Sequence, residues 1–293
     1  MASTSEIKTR IKSVQDTQKI TNAMYLIASM KMQKAKKELD LTRPYFDAVS
    51  TEIKRIFRTA EGVRSRYFFP PEGEPVLSGA HGLLVMTADK GLAGAYNTNV
   101  LSLAEEALSA YPNTRLFVVG EFGRQYFMRR HIPIEKNFLY TAQNPTKDRA
   151  REIASFLLEE YDQQKVDQIL VLYTDLRNGV ITEAKKVRVL PFRREPFYSK
   201  ERQRETKFEF FPSVTEVLDA LVPSYMAGFI YSALVDSFCS EQSARMSAMN
   251  SANENAEKVL SELSKDFNRI RQARITQEIT ELTSGARAAA LKE

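Results

Sequence analysis

The sequence predicts an α/β protein in which two long terminal helices form an antiparallel coiled coil and frame a Rossmann-like α/β domain with a mostly parallel sheet. Three observations carry that expectation: an apolar seam at alternating steps of four and three near the N-terminus, a second such seam near the C-terminus, and alternating strand-like and helix-like segments between them. The chain has 293 residues, room for one or two domains of the usual ~100–200 residues. The organisation expected is a helical segment over 1–62, an α/β domain over 76–207 and a second helical segment over 212–290.

The first seam is Ile7, Ile11, Val14, Gln18, Thr21, Tyr25, Ala28, Met32, Ala35, Leu39, Thr42, Phe46, Val49, Ile53, Ile56 and Ala60, of which thirteen are apolar. A heptad pattern this long argues for a coiled coil rather than a core helix of ordinary length. Ser3 and Glu6 have the spacing of a capping box. Pro44 is the one proline in the run, and a bend is expected there. Ile20, Ala23, Met24, Leu26, Ile27 and Met30 are apolar too, mostly off the seam. A helix apolar nearly all round needs a cover besides one partner helix.

The second seam is Val235, Cys239, Gln242, Met246, Met249, Asn253, Ala256, Leu260, Leu263, Phe267 and Ile270, with nine apolar members. Pro212 and Pro223 punctuate the approach, and no proline follows. A helix from residue 224 to 290 would be ~100 Å long. Both helices leave the middle domain by their inner ends, so they run antiparallel, with residue i beside roughly residue 274 − i and Ile7 beside Phe267. Residues beyond about 270 then overshoot, yet Ile275, Ile279, Leu282 and Leu291 continue an apolar stripe. An isolated amphipathic helix is not stable in water on propensity alone. The overshoot therefore predicts an external sleeve, the alternative being a frayed tail.

Between the seams, residues 82–86, 115–119 and 166–173 read as strands, and 99–110, 121–131 and 147–163 as helices. Residues 180–190 read as a further strand, a hairpin partner after the turn at Arg177, Asn178 and Gly179. The glycine-rich turn Asp89-Lys90-Gly91-Leu92-Ala93-Gly94-Ala95-Tyr96-Asn97 has neither the G-x-G-x-x-G nor the Gly-Lys-Ser/Thr pattern. It reads as a structural turn, a phosphate cradle or a docking surface.

The composition excludes several classes. One cysteine, Cys239, rules out a disulfide framework and an intrachain cysteine zinc site, and His81 and His131 stand apart without carboxylates at ligand spacing. No catalytic residue, cofactor or metal is expected. No apolar run reaches the ~18 residues of a membrane span; residues 225–235 come nearest. The opening residues do not read as a secretory signal. The pI of about 9.1 could suggest nucleic acid, but the charge is divided. Residues 1–66 hold 14 basic and 7 acidic side chains, and 213–293 hold 8 and 11. Opposite charge on the two helical segments is spent within the fold, so no nucleic-acid partner is expected. The basic run 193–207 reads as an exposed loop.

Specific residues carry a resemblance. Ile275-Thr276-Gln277-Glu278-Ile279-Thr280-Glu281-Leu282-Thr283-Ser284-Gly285-Ala286, the opening stretch from Ile11 to Met24, and Gly91-Leu92-Ala93-Gly94-Ala95-Tyr96-Asn97 resemble, in the right order, three segments of the gamma subunit of F-type ATP synthases. The family usually has Cys and Gly where this chain has Ala93 and Ala95. The resemblance implies a non-catalytic rotor shaft. Its coiled coil would lie inside a hexamer of alpha and beta subunits, and its α/β domain would meet epsilon and the membrane c-ring. It further implies that Arg271 and Gln272 hydrogen-bond a catch loop of beta, that Met24 and the basic stretch with Lys31 and Lys34 face an acidic segment of beta, and that Glu278 and Glu281 lie in the bearing. The foot contact would be near residues 208–211. A place on the cytoplasmic face of a bacterial membrane is implied, without a span of its own. The chloroplast form carries a redox-active cysteine pair; with one cysteine, this chain is expected to lack that switch. Two rivals are a coiled-coil adaptor with an α/β head and a Rossmann-like enzyme with a helical arm.

Overall fold

The computed structural model describes residues 4–290 apart from 61, 71, 75, 76, 78, 178–180 and 198–208. Ser3 of the expected capping box, the hairpin turn at Asn178 and Gly179, Phe208, Leu291 and most of the basic run 193–207 lie outside the described residues.

Helix α1 spans Thr4–Thr59 and α5 spans Val214–Ala290. Between them come β1 (His81–Met86), α2 (Tyr96–Ala110), β2 (Thr114–Val119), α3 (Glu121–Arg129), α4 (Lys147–Asp162), β3 (Gln168–Arg177) and β4 (Ile181–Leu190). The chain divides into two compact units, Met1–Ala28 with Met246–Glu293, and Ser29–Arg245.

All sixteen positions of the first seam and all eleven of the second are buried or half-buried. In the first unit the helices run antiparallel at the expected register. Thr21 hydrogen-bonds Asn253, and Gln18 Nε2 donates to Glu257 Oε1 at 3.4 Å, one residue from it. The polar seam positions thus meet polar partners and pin the register, as buried polar residues do in coiled coils. Helix α1 continues through Pro44.

Helix α5 begins ten residues earlier than its proline spacing suggested. Ser213 and Glu216 cap it reciprocally: the Glu216 amide donates to Ser213 Oγ at 3.2 Å, and the Ser213 hydroxyl donates to Glu216 Oε1 at 3.0 Å. Pro223 therefore sits inside the helix. Contrary to the sequence reading, α5 does contain a stretch long and apolar enough, by length and composition only, to cross a membrane. Its small polar residues break the run without lowering the average enough. Leu218, Val222, Met226, Ile230 and Tyr231 of this helix are buried in the core, which accounts for the hydropathy.

The second unit is three-layered. The sheet order is β2-β1-β3-β4, with β1 parallel to β2 and β3, and β4 antiparallel to β3 at the edge. Leu84, Met86, Phe117, Val119, Ile169 and Val171 face one core with α1, α4 and α5, while Leu83, Val85, Leu116, Val118, Leu170 and Leu172 face the other with α2 and α3. Strands covered on both faces read as continuous apolar runs, which is why they were legible. β3 outruns its expected end by four residues because β4 pairs with it as far as Arg177 and Ile181. α2 starts at Tyr96 rather than 99, with Tyr96 and Asn97 buried in its first turn.

Candidate functional site

The sequence-predicted contact residues fall on two stretches of helix in the first unit and one in the second. On α1, Met24 is half-buried, and around it Ile20, Leu26 and Ile27 are 61%, 60% and 47% exposed. The seam consumes one face of the helix; these side chains stand on the others. On α5, Arg271, Gln272, Glu278 and Glu281 are exposed, and so are Ile275, Ile279 and Leu282.

Arg271 and Glu278 line one groove of about 440 Å³ with Thr4, Lys8, Phe267 and Ile275. Glu278 also accepts from Arg274 Nε at 2.9 Å, and Glu281 accepts from Gln277 Nε2 at 2.8 Å, both one helical turn away. The polar heads are thereby oriented along the helix while the apolar side chains between them remain uncovered. Such alternation suits an interface with both apolar and hydrogen-bonding contacts.

Lys31 and Lys34 are exposed on α1 in the second unit. Lys34 lies 4.0 Å from Glu38, a surface pair worth about 0.3–0.5 kcal/mol at most. Their charge is available to an acidic surface. At the other end of the same unit Phe211 is 93% exposed, and Phe210 packs against the core.

The glycine-rich turn is held by its own side chains. Asn97 Oδ1 accepts the Ala88 amide at 2.9 Å. Asp89 accepts the Thr141 hydroxyl at 2.7 Å and the amides of Glu121, Ala142 and Gln143 at 3.0, 3.0 and 3.1 Å. Burial would raise the Asp89 pKa, but these hydrogen bonds outweigh it and hold the carboxyl below its usual value. With Asp89 accepting four hydrogen bonds and Asn97 a fifth, the structural reading of the turn is the one its geometry supports. Leu92, at φ 63°, projects from it 65% exposed.

Among the described residues no group of three or more His, Cys, Asp or Glu is placed to hold a metal ion. The one cysteine lies beside a cleft of about 480 Å³ between α1, α5 and the end of β3. Burial, with help from Asp236 and against Lys36, pushes the Cys239 thiol up to about 12. A thiol so rarely ionised is a poor nucleophile. Dithiothreitol is therefore expected to leave the activity of the assembled protein unchanged; a several-fold change would overturn this.

Asp236, in the same cleft, is pushed up to about 6, first by burial and then by the Asp175 carboxylate, with Arg43 and Lys185 opposing. A folded pKa above the unfolded value means that the folded state binds the proton more tightly. The stability this group allows is full below about pH 4 and is lost as pH rises through 6. Asp236→Asn is expected to stabilise the chain by about 2–3 kcal/mol at pH 8 and by little at pH 4. Thermal melts at both values test this, and an equal gain at both would contradict it.

Periodicity did not reveal the buried polar side chains of α5. Ser237, Ser240 and Glu241 are 5%, 0% and 4% exposed, although they stand between seam positions where a heptad pattern leaves residues to solvent. Polarity alone carries no signal that such residues are inside.

Comparison with known proteins agrees over nearly the whole chain. Residues 3–289 match the model of a family described as ATP synthase. The chain is 42% identical to the ATP synthase gamma chain of Caldanaerobacter subterraneus subsp. tengcongensis, over 96% of this chain and 98% of the relative. It is 40% identical to that of Ruminiclostridium cellulolyticum, over 97% of each. It is 33% identical to the sodium ion specific gamma chain of Acetobacterium woodii, again over 97% of each. Among solved structures, the central stalk and c-ring of the Tetrahymena thermophila mitochondrial ATP synthase includes a chain with a TM-score of 0.56 and 24% identity, covering 80% of this chain and 99% of that one. A chain of the Euglena gracilis mitochondrial enzyme gives 0.55 and 12%, covering 91% and 95%. These two bear on the fold.

Proposed function

The chain belongs to the ATP synthase gamma-chain family, and from that premise we propose that it is the central-stalk rotor shaft of an F-type ATP synthase. Its identity of 42% with a gamma chain over almost the full length of both carries this reading. The shaft couples rotation of an ion-driven c-ring to conformational change in an alpha–beta hexamer, where ATP is made or hydrolysed. It is a subunit of an ATP-synthesising complex and itself binds no substrate.

The helical segments 1–62 and 212–290 act as the shaft and the domain 76–207 as its foot, against epsilon and the c-ring. Met24, Lys31 and Lys34 face beta, as do Arg271 and Gln272, while Glu278 and Glu281 belong to the bearing. The uncovered apolar side chains Ile20, Leu26, Ile275 and Leu282 are what a shaft enclosed by a hexamer would need. An asymmetric shaft presents different faces to successive beta subunits, and the bias it exerts is limited by its differential contacts with each of their states. As part of a membrane-bound complex the chain is peripheral, on the cytoplasmic face of a bacterial membrane.

Purification of the tagged chain from detergent-solubilised membranes tests this. Recovery of a large ATP-hydrolysing complex with alpha and beta chains supports it; recovery of the chain alone, or with other partners and no hydrolysis, returns the function to the adaptor reading. Truncation after Ser284 is expected to lower the yield of intact complex while leaving hydrolysis per complex nearly unchanged. Undiminished complex stability would instead identify the tip as a frayed tail.

A further inference from the structure

Besides the apolar core they share, the sheet of the second unit is tied to α5 in two ways. One is covalent, through the segment that leads into α5 at Val214. The other is a stripe of buried polar side chains 23 to 31 residues further on, roughly 35–45 Å along the helix. Ser237, Ser240, Glu241 and Arg245 follow one another at steps of three, one and four, which places them on one helical face.

Ser237, Ser240 and Arg245 reach the α/β domain, and Glu241 holds Arg245. β1 stops pairing with β3 at Leu172, so the edge of β3 is open at Thr174. The Thr174 amide donates to Ser237 Oγ at 3.2 Å, and the Ser240 hydroxyl donates to the Thr174 carbonyl at 3.3 Å. Arg245 pairs with Glu241 at 2.7 Å, with the two side chains 11% and 5% exposed, and its Nη2 donates to the Gly91 carbonyl at 3.0 Å. Ala244 packs against Ala88, Ala93 and Tyr96 of the same turn. Both strand β3 and the turn after β1 are thus bound to α5 by directional bonds.

We propose that this stripe, with Arg245 and Glu241 at its end, is a rotational lock that passes torque between the α/β domain and α5. The inference rests on the shaft reading. Close-packed apolar side chains resist rolling by steric fit alone, without a bond that a rotation must break. A single covalent attachment acts as a swivel. Directional hydrogen bonds to Thr174 and Gly91 at a second, distant point break under rotation, while the Glu241 carboxylate, one turn away on α5 itself, holds Arg245 in place for its bond to Gly91; buried polar groups are best attested where they set registry. Arg245 and Glu241 are accordingly positioning residues for coupling.

The test uses the assembled complex in inverted membrane vesicles. ATP hydrolysis by the hexamer detached from the membrane, where nothing loads the foot, is compared with ATP-driven ion uptake per ATP hydrolysed. Arg245→Ala and Glu241→Gln are expected to leave unloaded hydrolysis within about twofold of wild type and to lower uptake per ATP roughly threefold or more. Arg245→Lys, which keeps a cation opposite Glu241, should recover most of the loss. The double variant should be no worse than the singles, because both break one pair. A proportionate fall in hydrolysis and uptake, or no change in either, would overturn the lock while leaving the shaft in place. If the wild-type chain enters no ATP-hydrolysing complex, the shaft reading fails and takes the lock with it.

Discussion

Gly120→Ala is expected to destabilise the α/β domain by about 3–5 kcal/mol. Gly120 follows β2 and precedes α3 with φ 95° and ψ 137°, a region that L side chains rarely enter and that costs about 1–3 kcal/mol. Space adds to the strain. A Cβ there would lie 2.3 Å from the Thr87 carbonyl oxygen and 2.7 Å from that of Ala88. Both are backbone atoms of the adjoining strand end, so no side chain can swing aside, and overpacking of this kind costs about 1–3 kcal/mol more. The Gly120 amide also donates to Tyr140 O at 3.0 Å. Backing away from Thr87 would break that bond and disturb the Asp89 contacts beside it. The total is a large share of the ~5–15 kcal/mol that holds a domain together. A thermal melt of the purified chain measures it, and a midpoint within a degree or two of wild type would refute the geometry.

The second large effect is on coupling. Met24→Lys is expected to lower ion pumping per ATP roughly threefold to tenfold, about 0.7–1.4 kcal/mol in the coupled step. Met24 is half-buried among exposed apolar side chains, and its surroundings in the proposed assembly are a beta subunit. A lysine there leaves the chain's own fold nearly untouched, because the long stem can turn its ammonium to water. Inside the hexamer the charge is either buried at a cost or paired with a beta carboxylate. Either outcome differs between the rotational states, and only such a difference shifts the populations of beta. Wild-type pumping ratios in the variant would sink the argument. Gly120→Ala acts on folding and Met24→Lys on assembly energetics, so the melt and the pumping assay should separate them.

The candidate surface was legible unevenly. The exposed side chains at 20–27 and 275–282 were visible as apolar positions in excess of the seam, and the structure leaves them uncovered. The roles of Arg271, Gln272, Glu278 and Glu281 came from resemblance alone. The structure supplies their setting: Arg271 and Glu278 share a groove with Phe267, and Glu278 and Glu281 are each tied to a neighbour one turn away. The glycine-rich turn had three readings, and the hydrogen bonds to Asp89 and Asn97 favour the structural one. No pattern in residues 89–97 points to Thr141, Ala142 and Gln143, which lie some fifty positions away.

What the sequence by itself determined are the features that depend on averages along one element. Fifteen positions of α1 and eleven of α5 avoid water because the heptad spacing puts them on one face, and the lengths of the helices set the antiparallel register that Thr21 and Asn253 occupy. The strands were legible because burial on both faces leaves little choice of residue. What only the tertiary structure decided concerns single polar groups. Ser240 is fully buried because β3 outlasts β1 and leaves an edge to satisfy. Asp236 holds its proton to about pH 6 because burial and Asp175 from another element oppose its charge. Gly120 is required because the Thr87 and Ala88 carbonyls, just past the end of the adjoining strand β1, stand where its side chain would be. An apolar residue reports its environment through the company it keeps along the chain, whereas the energy of a polar group is set by partners that folding brings from far away.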